Sequence, residues 1–187
     1  MARLIKAAGP VTLRDPLEDS FAALVRSILY QQLAGAAAAA IHGRFLNLFV
    51  ETLTPAAVLA LPEGAMRSAG LSGSKAAAVA DLASKVADGT VPLHDIGSLA
   101  DDEIVARLTQ VRGIGRWTAE MFLIFQLRRL DVWPVDDYGV RKGWAITHKQ
   151  SVLPTPRALQ AEGERFRSFR TIAAWYCWRA VDTVLPA

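Results

Sequence analysis

The sequence predicts an all-α protein, on three observations. Apolar residues recur at three- and four-residue spacing along most of the chain, and the every-second-residue alternation of a half-buried strand is not evident anywhere. Ser, Thr and Asp stand just ahead of many of these periodic runs, where their side chains can accept hydrogen bonds from the first helical N–H groups. Residues 108–122 read as the end of one helix, a two-glycine turn, and the start of another.

The elements follow in order. Residues 1–19, with Pro10 and Pro16, predict a short helix and a loop. Asp19 or Ser20 caps a helix from Phe21 to Tyr30, whose apolar face is Phe21, Leu24, Val25, Ile28 and Leu29. After Gln31-Gln32-Leu33 a second helix runs from Ala34 to Phe49; its alanines are strong helix formers and predict tight packing against a neighbouring backbone. Thr54-Pro55 opens a helix ending near Leu61, with proline at its first position. A short helix covers Glu63 to Ser68. The loop Gly70-Leu71-Ser72-Gly73-Ser74 leads into a helix from Lys75 to Asp88, with Ser72 or Ser74 as cap and Lys75 solvated at its start. Gly89, Pro92 and Gly97 mark a connection, and Ser98 to Glu103 resembles a helix entry with acids in its first turn. Arg128-Arg129 suits the negative C-terminal pole of the helix after the glycine turn. Asp136-Asp137 opens a helix running towards Ile146, a loop covers residues 150–156, and helices follow from Arg157 to Phe166 and from Thr171 to Val184.

Composition narrows the function classes. The chain has 187 residues, room for one domain or two small lobes, and at 52% hydrophobic it can build a core. Net charge is +3 with a pI near 9.3, a mild basic bias compatible with nucleic acid. Cys177 is the single cysteine, which excludes an internal disulfide and any cysteine-based zinc or iron–sulfur site. Between Tyr176 and Trp178 it reads as a buried core thiol. His42, His94 and His148 are scattered without ligand-like spacing, so no catalytic metal is expected. The first residues lack the apolar run of a signal peptide, and no stretch is apolar for long enough to span a membrane. A cytoplasmic protein, acting at the bacterial nucleoid, is expected.

Three stretches carry candidate chemistry. Before the glycine turn Ile104, Val105, Leu108 and Val111 keep helical spacing; after it Trp117, Met121, Ile124 and Phe125 do the same. Gly113 and Gly115 sit where the chain reverses, a place for φ > 0 or close backbone approach. Free N–H groups at the start of the second helix, with its positive dipole end and the flanking Arg112 and Arg116, suit a phosphate oxygen. Such a hairpin can grip a DNA backbone without reading its sequence; it is equally an ordinary helix–turn–helix corner with a glycine C-cap. Gln31 and Gln32, between two apolar helices, read as capping or solvated side chains, or as a side chain that fills the gap left by an extruded base. Asp136 and Asp137 lie at a helix N-terminus, where capping explains an aspartate and the free N–H groups also favour a charged carboxylate. Beside a cleft such a group can stabilise an oxocarbenium-like sugar or activate water.

Together these stretches resemble a known family. Ser27-Ile28-Leu29-Tyr30-Gln31-Gln32-Leu33, Gly70-Leu71-Ser72-Gly73-Ser74-Lys75, Val111-Arg112-Gly113-Ile114-Gly115-Arg116-Trp117-Thr118-Ala119, Pro134-Val135-Asp136-Asp137-Tyr138 and Trp175-Tyr176-Cys177-Trp178 match, in order, a helix-hairpin-helix DNA glycosylase, most similar to the bacterial 3-methyladenine DNA glycosylase II family. The resemblance implies the helical catalytic core without that family's N-terminal β-rich domain. It implies a two-lobed helical bundle, with residues 20–130, hairpin included, as one lobe, residues 1–19 plus 131–187 as the other, and a DNA groove between them.

The resemblance also assigns roles. The catalytic aspartate falls on Asp137, with Asp136 as its cap; a one-residue shift of the pairing exchanges the two. Bifunctional relatives carry a nucleophilic lysine where this chain has Trp117, and an indole cannot form a Schiff base. This implies a monofunctional hydrolase that leaves an abasic site and has no lyase activity. Trp117 and Trp178 fall at base-pocket positions, where an indole face attracts a base made cationic by alkylation, of the 3-methyladenine or 7-methylguanine type. A further aromatic position falls on Met121, with Phe122 beside it. The target base must leave the stack, and the wedge that replaces it falls on Gln32, with Leu33 as the alternative. Arg112, Gly113, Ile114, Gly115, Arg116 and Thr118 fall on the DNA-backbone contact. A monovalent cation, Na⁺ or K⁺, is implied at the backbone of Gly113 and Gly115; no other cofactor is. The implied partner is double-stranded DNA with alkylated bases, bound by a monomer. Two other readings stand beside this one: the same fold acting on oxidised or deaminated bases, and a non-catalytic hairpin module that binds DNA, which would need no carboxylate near phosphate.

Overall fold

Local capping sets five of the helix starts in the computed structural model, which describes residues 2–182. Asp19 accepts the N–H of Ala22, Thr54 that of Ala57, Ser72 that of Lys75, Asp137 that of Val140 and Thr155 that of Ala158. Eleven α-helices result, and there is no strand among the described residues. They are α1 (Ala2–Ala8), α2 (Ser20–Tyr30), α3 (Gly35–Leu46), α4 (Pro55–Leu59), α5 (Ala65–Ser68), α6 (Gly73–Ala87), α7 (Asp101–Leu108), α8 (Arg116–Phe125), α9 (Tyr138–Thr147), α10 (Pro156–Gly163) and α11 (Arg170–Asp182). Short 3-10 turns lie at Ile96–Ser98 and Glu164–Phe166. The all-α expectation therefore holds. The end of the last helix, expected at Val184, lies outside the described residues.

The chain divides into two compact units. One is Pro16–Phe122; the other combines the chain up to Asp15 with the chain from Leu123 onward. The division falls within α8, earlier than the break at residues 130/131 expected from sequence.

In the Pro16–Phe122 unit, α6 packs against α4 and α2, and α2 also packs on α3. The buried face of α2 is the one its periodicity predicts: Phe21, Leu24, Val25, Ile28 and Leu29. α6 contributes Ala78, Val79, Leu82 and Ala83. The alanine run of α3 does not pack as expected. Only Ala38 and Phe45 of that helix are buried, while Ala36, Ala37, Ala39 and Ala40 are exposed. Alanine's helix propensity needs no partner surface, so the run sustains a helix without specifying a contact.

In the other unit, α9 crosses α11 and α11 packs on α1. Trp133, Val140, Trp144, Leu159, Ala173, Ala174 and Cys177 form one core cluster; Leu4, Trp175, Tyr176 and Ala180 form another. The α9–α11 crossing is close: a Cβ on Gly143 would lie 1.8 Å from the Cys177 carbonyl oxygen. Among the described residues no helix is long and apolar enough to cross a membrane.

Candidate active site

The acidic pair resolves into two different environments. Asp137 is only 8% exposed, whereas Asp136 is exposed. Asp137, not Asp136, is the N-cap of α9: its backbone is extended (φ −68°, ψ 120°) and its Oδ1 accepts the Val140 N–H at 2.7 Å. This corrects the expectation that Asp136 caps. An aspartate cap bonds the N–H two or three residues on, and with the helix beginning at Tyr138 that geometry belongs to Asp137.

A second donor fixes the same oxygen. Trp178 Nε1–H, from α11, donates to Asp137 Oδ1 at 2.8 Å. The Trp178 ring stacks on Phe125, with centroids 5.7 Å apart and planes at 27°. Gly139 lets this contact form: a Cβ there would sit 2.8 Å from Trp178 Cδ1 and 3.1 Å from Asp137 Oδ1. Cys177 is fully buried next to these groups, and burial, with the negative charge of Asp137 as a smaller cause, pushes its thiol up to about 12. It is thus a neutral core thiol, as its sequence setting predicts. Trp175 and Tyr176 are buried, and the Tyr176 hydroxyl donates to the Gly9 carbonyl at 3.0 Å.

The hairpin, in the other unit, is shaped from its backbone. Gly113 is the residue in the left-handed region (φ +80°), and a Cβ on it would meet Ala78 Cβ at 3.3 Å. Gly115 has no positive φ and a Cβ there would meet nothing within 4 Å, so of the two expected turn glycines only Gly113 is conformationally required. Asp81 of α6 grips the turn: its Oδ2 accepts the Arg112 N–H at 2.7 Å, and its Oδ1 accepts Lys85 Nζ at 2.5 Å. The Arg112 N–H, then Lys85, hold the Asp81 carboxyl below the ordinary aspartate range.

The Gln-Gln element lies in the same unit. Gln31 Nε2–H donates to the Gly113 carbonyl at 2.9 Å, so Gln31 joins this turn to the hairpin rather than facing water. Gln32 takes φ +56°, and both Gln32 and Leu33 are exposed. Lys75, expected to be solvated, instead donates from Nζ to the carbonyls of Leu29 (2.6 Å) and Gln31 (2.8 Å).

The remaining expected residues are placed as follows. Trp117 is 47% exposed at the start of α8, Met121 is half-buried and Phe122 is buried. Arg112 and Arg116 are exposed, Arg116 pairing with Glu120 at 2.9 Å. The side chains of Ile114 and Thr118 are buried. As for a monovalent ion, the Gly113 carbonyl already accepts Gln31 Nε2–H and the Gly115 carbonyl accepts the Ala119 N–H. Each of these oxygens keeps a second lone pair. Among the described residues no group of three or more His, Cys, Asp or Glu side chains is arranged to hold a metal.

Sequence reasoning assigned no role to Gly139, Asp81 or Lys75. Lys75 ends one of the matched segments, which was the available signal; Asp81 and Gly139 carry no local one.

Comparisons with known proteins bear on this arrangement. A family model described as HhH-GPD superfamily base excision DNA repair protein matches residues 25–167. The chain is 35% identical over 182 residues to DNA-3-methyladenine glycosylase 1 of Schizosaccharomyces pombe, covering 95% of this chain and 80% of that protein. It is 28% identical to DNA-3-methyladenine glycosylase 2 of Escherichia coli, covering 92% of this chain and 61% of that protein. Among solved structures, Schizosaccharomyces pombe 3-methyladenine DNA glycosylase (Mag1) in complex with abasic DNA superposes with a TM-score of 0.84 at 33% identity, covering 100% of this chain and 93% of that one. A DNA-3-methyladenine glycosidase from Bacillus halodurans gives 0.89 at 32% identity, covering 97% and 85%.

Proposed function

Since the chain belongs to the HhH-GPD superfamily of base excision DNA repair proteins, we propose that it is a monofunctional DNA glycosylase that removes alkylated bases from double-stranded DNA. The observation that carries this reading is the buried, doubly hydrogen-bonded Asp137. A module that only binds DNA gains nothing from a carboxylate that would repel phosphate. An enzyme that passes through a cationic sugar gains a fixed counter-charge.

The residues divide the work. The hairpin, through its backbone N–H groups and the exposed Arg112 and Arg116, holds phosphates without reading sequence. Gln32, with Leu33 beside it, enters the stack as the target base leaves. The indole of Trp117, exposed at the start of α8, and that of Trp178, beside Asp137 in the other unit, each offer an aromatic face to which a base made cationic by alkylation at a ring nitrogen is drawn. The C1′–N bond breaks with its electron pair going to the base, which leaves neutral. Asp137 stabilises the oxocarbenium-like sugar and takes a proton from the water that adds at C1′. No lyase step follows, because Trp117 stands where bifunctional relatives carry the attacking lysine.

The test is release of methylated bases from alkylated duplex DNA. Asp137→Asn keeps a side chain that caps helices well but lacks the charge. Release should fall by on the order of 10²–10³-fold while duplex binding persists. A wild-type protein that binds duplex and releases no methylated base would overturn the reading. Loss on Asp136→Asn, with Asp137→Asn active, would move the catalytic role by one residue.

A further inference from the structure

The Gln31–Gln32 turn is held from one side by a residue to which no role has been given. Gln32 adopts φ +56°, a conformation that side-chain-bearing residues rarely take and that persists where surrounding contacts impose it. The contacts are on its two sides. Leu29 O, one of the carbonyls at the end of α2 that lack a helical N–H partner, accepts Lys75 Nζ at 2.6 Å. Gln31 O, the carbonyl of the peptide whose nitrogen belongs to Gln32, accepts the same ammonium at 2.8 Å. One cation therefore fixes the plane of the peptide about which Gln32's φ is defined. Gln31 secures the same turn from the other direction through Gly113 O. Lys75 is itself anchored at the N-terminus of α6, where its N–H donates to the Ser72 cap. Partial burial lowers the pKa of the Lys75 ammonium from its ordinary value. The exposed Gln32 thus stands on a constrained backbone with its side chain presented outward, the form a wedge needs.

We propose that Lys75 is a positioning residue for the Gln32 wedge. By tying the carbonyls of Leu29 and Gln31 it sets the left-handed backbone from which Gln32 projects, and it acts on base extrusion rather than on bond hydrolysis. This rests on the reading of Gln32 as the wedge. A plain helix-capping role uses the same hydrogen bonds, but the two differ in route: a positioning residue acts through Gln32, a cap does not.

A double-variant cycle separates them. Lys75→Met keeps most of the aliphatic stem and removes the ammonium. Each protein is mixed with a duplex carrying one methylated base next to 2-aminopurine, and the fluorescence rise on unstacking and the single-turnover release of the methylated base are followed. Lys75→Met should slow both about tenfold, the scale expected for a displaced group, and change binding of undamaged duplex less than about twofold. In a Gln32→Ala background Lys75→Met should add nothing further. Effects that multiply in the double variant, or an unchanged Lys75→Met protein, would overturn the inference while leaving the wedge intact. A Gln32→Ala protein with normal extrusion and release would instead remove the wedge reading and the inference with it. Lys75→Arg, which keeps a cation and several donors at a different reach, carries the same cycle if Lys75→Met unfolds at the assay temperature: its smaller defect must also vanish with Gln32→Ala, and persistence of that defect would overturn the proposal.

Discussion

The two candidate functional regions are built in opposite ways. Around Asp137 the determinants are side chains packed into a core: a carboxylate 8% exposed, an indole nitrogen on it, and glycines that admit neighbours. Around the hairpin and the Gln-Gln turn the determinants are backbone groups near the surface, held from behind by charged side chains of α6, Asp81 on the Arg112 N–H and Lys75 on two carbonyls. The two regions therefore tolerate different changes. A buried site fails through volume, because interiors do not yield to an added methyl group. A backbone-built site fails through loss of the anchor that fixes the chain, or through loss of surface charge.

Gly143→Ala should be the most damaging change, because its Cβ would fall 1.8 Å from the Cys177 carbonyl oxygen. Overpacking at a helix crossing should destabilise the protein by about 3 kcal/mol or more, read as a drop in the midpoint of thermal or urea unfolding; a variant as stable as wild type would mean that α9 and α11 separate easily.

Gly139→Ala is a milder version of the same test. Its Cβ would press on Trp178 Cδ1 at 2.8 Å and Asp137 Oδ1 at 3.1 Å. Base release should fall about tenfold or more for a stability loss of about 1–3 kcal/mol, with altered tryptophan fluorescence. Unchanged release would show that the Trp178–Asp137 contact does not govern the carboxylate.

Asp81→Asn should act on the hairpin instead. Asp81 is held below its ordinary range in the folded protein, first by the Arg112 N–H and then by Lys85. A depressed folded value means its contribution is present above the unfolded aspartate range and is lost as pH falls through the folded one. The variant should therefore be less stable by about 1 kcal/mol near neutral pH, with the gap closing in acid. Denaturant titrations at pH 7 and at acid pH read this directly, and a gap that widened in acid would contradict it.

Arg112→Ala should have the smallest effect on the fold, since its side chain is exposed and its N–H contact to Asp81 is kept. Duplex binding should weaken to a similar extent for all sequences, and the slope of log K against log salt should fall by about 1. A change confined to one DNA sequence would mean that Arg112 reads bases.

Several elements were legible without coordinates. The buried stripe of α2, the caps at Asp19, Thr54 and Ser72, and the turn at Gly113 all follow from residues within one or two helical turns of each other. The acidic pair and the Gln-Gln element could likewise be picked out as short segments. What the periodicity of α3 could not tell is whether its alanines meet anything, since a small residue supports a helix equally in solvent and in a contact.

Sequence alone thus determined the helix pattern, the position of the hairpin and the short list of chemical groups, because helices are specified by neighbours in the chain. Tertiary structure decided which aspartate is buried and caps α9, that Trp178 bonds it across 41 residues, and that Lys75 reaches the Gln31 carbonyl across 44. It also decided that Gly139 and Gly143 are required while Gly115 has open space. Each of these depends on two segments distant in the chain meeting in space, and such meetings leave no periodic trace in either segment.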